Sequence, residues 1–371
     1  FVLVLSGSAA CGEPAPASAP AISPLPASEA APVPPPPPPG TAPSYEVHEW
    51  GLVDVPLGGV PAEIAAGPGR AETIADSTMP PSSPSGPAAP PAHRPPPLHP
   101  PPHHPPVVVP PPVSVRKPVV YVHLAAGTTE LRFDLDVHVP GGGTVVEHWP
   151  EGAGSGDLLR WSSVTASACT TPPAVPAFGR ACDTADGYCE RHDLATYVAT
   201  GVACLEVAGA RAPFLFYRGT SPLDTLPLRH AALSAGAIEV TYTGPLPAAT
   251  RVLRFLRTPE GLRVAEAELP AAGRTLVIPE PTTPADRAAL EAGCRADLAV
   301  LGLTSEEADA FVRAWAGELY GAPTAREAPV ILDSYLVYWA PRDAIERMAE
   351  LTFSPAPTAV HRAMLARVEL A

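Results

Sequence analysis

Three places in the first half of the chain carry side chains that could bind a metal ion. His48 is followed by Glu49, His123 lies in a valine-rich stretch, and Glu147 is followed by His148. All of them fall in segments predicted to be strands of one sheet. Imidazole nitrogens and carboxylate oxygens together bind zinc and similar divalent ions. The sequence therefore offers a candidate divalent-metal site made from His48, His123, Glu147 and His148.

Strand geometry limits this candidate site. Neighbouring residues in a strand point to opposite faces, so each adjacent pair supplies at most one ligand to a given ion. The alternative is a structural cluster, in which His and Glu are hydrogen-bonded beside packed tryptophans, and the sequence favours that alternative. No catalytic residue is predicted, and no cofactor apart from this divalent metal ion. The sequence thus points to a binding or structural protein more than to an enzyme.

Other motifs that carry chemistry are weak or absent. The chain has no G-x-S-x-G elbow, no P-loop and no H-E-x-x-H pair. Asp183, Asp186 and Glu190 would supply oxygen ligands suited to calcium, but their spacing is not that of an EF-hand and favours a solvated loop. A His-rich tract can bind divalent metals, although chance composition is favoured for the one that includes His93, His99, His103 and His104.

Composition separates a folded body from proline-rich segments. The chain has 371 residues, 54 Pro, 29 Gly and a formal net charge of -14. That acidity argues against a nucleic-acid partner, because phosphate binding needs a basic face. Residues 12–44 are dominated by Pro, Ala and Ser, which predicts a disordered, extended stalk. A second Pro-rich and His-rich segment, 79–116, is predicted to be a disordered insertion in the first part of the body.

Residues 1–11 are typical of the end of an export signal. The apolar run Phe1–Leu5 is followed by small residues up to Cys11. This approach to a cysteine resembles a bacterial lipobox, in which Cys11 would be lipidated and would anchor the protein in a membrane. Ser8 and Ala10 also fit an ordinary cleavage site, which would release a soluble product. We therefore expect a location in the bacterial cell envelope (outer membrane, periplasm or cell surface) or secretion.

The body is predicted to be mainly β, with a few C-terminal helices. Apolar and polar residues alternate strictly from Leu131 to Val139, as in a half-buried strand. The glycines 141–143 predict a turn, with Thr144–Trp149 returning as the hairpin partner. Similar short strands separated by turn residues continue to about residue 280. This pattern predicts an antiparallel, sandwich-like β body over 45–280.

The last part of the chain, 281–371, is predicted to be α+β and to pack on the body. Thr283 followed by Pro284 predicts the start of a helix that ends near Leu301. Thr304 with Glu307 forms a capping-box signature that opens a second helix. A strand over 330–339 and a helix over 342–351 follow, and 358–370 is compatible with either a strand or a helix.

Five cysteines lie in the body of the chain. Cys169, Cys182, Cys189 and Cys204 are close in sequence, which predicts two disulfides in an exported protein. Spacing does not determine the connectivity, and we predict the nested pairs 169–204 and 182–189. The spacing matches no zinc finger or ribbon. Cys294 has apolar neighbours at helical spacing and is predicted to be a buried free thiol.

One segment resembles a known group of proteins. Glu46–Gly51 (EVHEWG) is similar to the opening of a family of bacterial exported, lipoprotein-like proteins with a V-H-E-W-G-type motif, although Leu52 and Val53 replace that motif's Thr and Phe. Further blocks resemble the same family in order, at Lys117–Tyr121, Glu147–Pro150, Phe214–Gly219, Tyr338–Arg342 and Pro355–Pro357. No activity is established for the family. The resemblance therefore implies domain limits of about 45–370 and a single composite body.

These expectations combine into one functional hypothesis. The chain is predicted to be an exported, lipid-anchored envelope protein that binds an unknown envelope or surface ligand or serves as a structural module. The alternative is a metal-dependent hydrolase that uses the His/Glu cluster.

Overall fold

A computed structural model of the protein describes residues 44–56, 113–175, 194–221, 225–321 and 333–370. Cys11, the predicted stalk before residue 44 and most of the predicted insertion lie outside the described residues, as does the proposed calcium loop. The insertion ends earlier than predicted, because a strand already begins at Val113. Val113 and Val115 alternate with Ser114 and Arg116 in this part of the strand.

The described residues form strands, three α-helices and short 3-10 turns. In chain order the strands are β1 (Tyr45–Val55), β2 (Val113–Leu124), β3 (Glu130–His138), β4 (Thr144–Trp149), β5 (Ala153–Ser155), β6 (Leu158–Ser167), β7 (Cys204–Val207), β8 (Ala210–Ala212), β9 (Leu215–Ser221), β10 (Leu228–Ala232), β11 (Ile238–Tyr242), β12 (Arg251–Thr258), β13 (Gly261–Glu268), β14 (Arg274–Ile278), β15 (Thr283–Pro284), β16 (Ser334–Trp339), β17 (Glu350–Ser354) and β18 (Ala359–Glu369). The helices are α1 (Arg287–Val300), α2 (Ser305–Tyr320) and α3 (Arg342–Met348). The mainly β fold with C-terminal helices is confirmed.

The largest sheet has nine strands in the order β15-β13-β12-β16-β18-β1-β2-β9-β4. β1 lies near its middle, parallel to β18 and antiparallel to β2. Both faces of β1 are covered, and only Glu46 in its first half is exposed. Trp50 packs with the helices on one face, while Val47 packs with the second sheet on the other. The first and last described strands therefore share the centre of one sheet.

The second sheet contains β17-β3-β6-β7-β8, with β5 paired to β6, and a third consists of β10-β11-β14. β3 shows the predicted alternation of buried and exposed residues. The predicted hairpin between β3 and β4 is wrong, because β4 pairs with β9 in the large sheet. The glycine turn carries the chain from one sheet to the other. At Gly143 an added Cβ would lie 2.7 Å from the carbonyl oxygen of Thr220, so β9 leaves no room for a side chain there.

The C-terminal helices begin where local capping allows. α2 starts with the predicted capping box of Thr304 and Glu307. α1 starts later than predicted, because Asp286 is its N-cap and accepts hydrogen bonds from two backbone N–H groups. The Thr283–Pro284 pair instead forms β15 against β13. α3 ends at Met348, short of the predicted 351, and the ambiguous segment 358–370 is a strand, β18.

The cysteines follow the prediction wherever they are described. Cys169 and Cys204 form a disulfide that joins the end of β6 to the start of β7. Cys294 is a buried free thiol on α1, and burial raises its pKa to about 12. Cys182 and Cys189, the other predicted pair, lie outside the described residues.

Candidate metal centre

The candidate centre is formed around His48 on β1. Glu46, His48 and Trp50 share the face of β1 that is covered by α2, because alternate residues in a strand point the same way. Pairing with β18 places His361 beside His48. Pairing with β2 places His123 beside Glu46. Three imidazoles from distant parts of the chain thereby lie together at the same end of the adjacent strands β18, β1 and β2.

Helix α2 contributes a carboxylate to this cluster. Glu307 is at the third position of the helix, and its Oε2 accepts the backbone N–H of Thr304 at 2.9 Å. The same oxygen lies 2.8 Å from Nδ1 of His48, and Oε1 lies 2.7 Å from Nε2 of His123. The Glu307 side chain is fully buried. The capping box therefore also fixes the carboxylate between two imidazoles.

The Glu307 carboxylate is ionised despite its burial. Burial acts to raise its pKa, but the hydrogen bonds from His123 and His48 and the charges of these imidazoles lower the pKa to about 2. An ionised carboxylate can only accept hydrogen bonds. Each imidazole nitrogen that faces Glu307 must therefore carry a hydrogen, so His48 donates through Nδ1.

The other ring nitrogen of His48 faces a second carboxylate. Its Nε2 lies 4.0 Å from Oε2 of Glu46, beyond hydrogen-bond distance. The Glu46 side chain is 51% exposed, whereas that of His48 is 7% exposed. With Nδ1 occupied by a hydrogen, the lone pair of a neutral His48 ring is on Nε2, on the side that opens to solvent.

His361 completes the cluster, and a glycine makes room for it. The rings of His361 and His48 are edge-to-face, with centroids 5.0 Å apart. Gly302 lies in the turn between α1 and α2 with φ of 93°, a conformation that favours glycine. A Cβ added there would lie only 2.3 Å from Nδ1 of His361. The turn therefore needs glycine for its backbone conformation and also for its contact with His361.

Two overlapping groups within this cluster could hold a metal ion. One consists of Glu46, His48 and His361, and the other of His48, His123 and Glu307; in each, one ligand atom per residue lies within 4.8 Å of the others. His48 belongs to both. Each group combines imidazole with carboxylate, a ligand set that suits zinc and other first-row transition ions.

The predicted site is assembled only in part. His48 and His123 come together as predicted, but Glu147 and His148 lie on β4, separated from β1 by β2 and β9. Glu147 is 3.6 Å from the buried Arg218. Burial lowers the pKa of His148. Within the described part of the chain, neither residue belongs to the two candidate ligand groups.

Glu49 points away from the cluster, as strand geometry requires. Its carboxylate is buried against Arg362 of β18 and accepts a hydrogen bond from Tyr217 at 2.7 Å. Trp50 is also fully buried and packs edge-to-face on Phe311, so it lines no open groove.

Glu46, His361 and Glu307 also belong to the site, although the sequence alone does not predict them as ligands. The sequence indicates Glu307 only as a helix-capping residue, since its second role depends on where α2 docks. His361 lies in a segment that is compatible with either a strand or a helix. Glu46 belongs to the EVHEWG segment, and its spacing of two from His48 is the available signal.

No protein-family model, no curated protein and no solved structure matches this chain. The family resemblance stated above therefore remains a prediction. Among the helices in the described ranges, none combines the length and apolar content needed to span a lipid bilayer.

The buried Glu307 predicts a pH dependence of stability in the metal-free protein. The pKa of Glu307 is about 2 in the folded state, against an ordinary value of 4.5. A lowered folded-state pKa stabilises the protein above about pH 4.5, and this contribution is lost as the pH falls towards 2. The shift corresponds to roughly 3 kcal/mol. The groups hydrogen-bonded to Glu307 are His48, His123 and the Thr304 N–H. Tyr121 of β2 also faces this carboxylate, and its pKa is raised first by burial and then by the charge of Glu307.

We expect the difference in unfolding free energy between wild type and Glu307→Gln to shrink by roughly 2–3 kcal/mol between pH 5 and pH 2.5. Denaturant unfolding of both proteins at each pH, with a chelator present, measures this free-energy difference. Glu306→Gln, an exposed neighbour in the same helical turn, is the matched control and should show no such change. A constant difference across this pH range would show that Glu307 has no lowered pKa.

Proposed function

We propose that this protein is an exported cell-envelope protein whose body binds one divalent transition-metal ion at the His48 cluster. The observation that carries the proposal is the convergence of three imidazoles and two carboxylates around His48. The same contacts also form a hydrogen-bonded cluster without an ion, as the sequence favoured. Metal binding is the function that goes beyond this structural role, because Nε2 of His48 and the carboxylate of Glu46 face each other with no hydrogen bond between them.

The ligand types select the class of ion. Nitrogen and oxygen donors in a set of three suit zinc, copper or nickel, whereas calcium and magnesium prefer oxygen ligands in larger number. Zinc is the appropriate first probe, because its affinity can be measured without redox chemistry.

The envelope location is supported by two independent features. An apolar run and small residues precede Cys11, and the body contains the Cys169–Cys204 disulfide. Disulfides persist in oxidising compartments outside the cytosol. We propose that a lipid on Cys11 anchors the protein in the membrane. The metal ion is the only ligand whose chemistry we propose.

We expect isothermal titration calorimetry of chelator-treated protein to show that one Zn²⁺ ion binds. The substitution His48→Ala should abolish this binding, because His48 belongs to both candidate ligand groups. His138→Ala should keep it; that surface histidine lies 3.6 Å and 3.7 Å from two carboxylates but outside the cluster. At 100 times Kd, bound zinc should also raise unfolding free energy by about 2.7 kcal/mol.

The His-rich tract requires a separate control. A variant with alanine at each of His93, His99, His103 and His104 should retain the ion that His48→Ala removes. If the tract variant loses all zinc binding while His48→Ala retains it, the proposed site is wrong.

Hydrolysis at the bound ion is the second candidate function. Catalytic zinc sites commonly use three protein ligands and leave a fourth position for water, and each group around His48 has three members. The exposure of Glu46 opens one group to solvent. A metal-bound water would supply hydroxide near neutral pH to attack an ester carbonyl.

We expect zinc-loaded wild type to hydrolyse 4-nitrophenyl acetate at least tenfold faster than His48→Ala, and to lose this excess when the ion is chelated. The release of 4-nitrophenolate measures the rate. Equal rates for the two proteins would rule out hydrolysis of this ester at the cluster while leaving metal binding untouched.

A further inference from the structure

We infer that the ion is bound by Glu46, His48 Nε2 and His361, and that Glu307 is not a ligand but a positioning residue that holds His48 through Nδ1. This inference rests on the proposed function and decides between the two groups that the structure offers. His123 then serves as a second donor to Glu307 and lies outside the coordination sphere.

The hydrogen bonds of Glu307 argue against its coordinating the ion. Oε2 already accepts from both His48 and Thr304, and Oε1 accepts from His123. An ion in the second group would have to replace both imidazole hydrogens. It would also have to reach a carboxylate that has no solvent exposure.

The geometry at the other side of His48 fits an ion. The 4.0 Å between Nε2 of His48 and Oε2 of Glu46 is too long for a hydrogen bond. Two ligands that each lie about 2.0–2.2 Å from zinc are roughly 3–4 Å apart. The existing separation is thus close to what an ion between them requires, and small side-chain movements of the exposed Glu46 would close the remaining difference.

Charge favours the same group. A divalent ion bound there would lie between the carboxylates of Glu46 and Glu307, which are on opposite sides of the His48 ring. Glu307 would balance the ion from the far side of the His48 ring without touching it. A carboxylate that accepts the second N–H of a ligating histidine fixes the orientation of the ring and raises the basicity of the ligating nitrogen. The capping box anchors that carboxylate to the first turn of α2.

The two assignments predict different effects for four substitutions. In the assigned group, Glu46→Gln and His361→Ala each remove a ligand, so zinc affinity should fall at least 100-fold. Glu307→Gln should weaken affinity by only 10-fold to 100-fold, which is typical of losing an outer-shell partner. His123→Ala should change affinity less than either ligand substitution. Zinc titration by competition with a chromophoric chelator measures all four variants.

The visible absorption spectrum of bound cobalt(II) distinguishes a ligand from a positioning residue, because the spectrum depends on the atoms that coordinate the ion. In Glu307→Gln the visible absorption of bound Co²⁺ should keep its intensity, because the coordination number is unchanged, while its band position shifts with the altered basicity of His48. In Glu46→Gln and His361→Ala the spectrum should change in intensity or disappear.

Several outcomes would overturn the assignment. If Glu46→Gln and His361→Ala bind zinc like wild type while Glu307→Gln does not bind it, the ion belongs to the second group. Because Glu46 is exposed, we expect Glu46→Gln to fold like wild type. Circular dichroism checks that the Glu307→Gln variant is folded. If wild type binds no zinc, the proposed function fails; if wild type binds and only this pattern is absent, the ligand assignment alone fails.

Discussion

The ionised carboxylate of Glu307, buried between helix α2 and the central strands, is the interaction on which the site depends. Burying a carboxylate without partners costs several kcal/mol, so its three hydrogen bonds must all be present in the folded state. They come from the helix itself, from β1 and from β2. Docking of α2, the register of both strands and the orientation of two imidazoles are thus specified together.

A second charged cluster links the C-terminal part of α2 to the central strands. Glu318 of α2 pairs with Arg116 of β2 and Arg367 of β18, and both arginines also pair with Asp54 of β1. The guanidinium of Arg116 also lies over the ring of Trp315, 5.2 Å from its centroid. Between the two clusters, apolar residues of α2 pack on β1. The helix therefore lies along β1 with an ionic contact at each end.

These clusters also make the register of β1 specific. A slip of one residue would move His48 and Asp54 to the opposite face, so Glu307 would lose its contact with His48, and Arg116 and Arg367 would lose Asp54. On that opposite face Glu49 already pairs with Arg362. Buried charges on both faces of β1 thus disfavour a one-residue slip of this strand.

The sequence indicated the strands, the capping box and two of the three histidines, because these follow from local periodicity and spacing. It did not indicate the partners. Alternation shows which residues of β1 share a face but not that β18, from the other end of the chain, pairs with it. For that reason the sequence predicts Glu147, and not His361, beside His48. The β3–β4 hairpin was wrong for a similar reason, since a glycine turn permits a reversal but does not fix its sheet.

The most direct test of the ligand assignment is an anomalous-difference map at the zinc absorption edge from crystals of the zinc-loaded protein. We predict a peak about 2.0–2.2 Å from the Glu46 carboxylate, His48 Nε2 and a ring nitrogen of His361, with Glu307 still hydrogen-bonded to His48 Nδ1. A peak at bonding distance from Glu307, or no peak beside His48, would contradict the account.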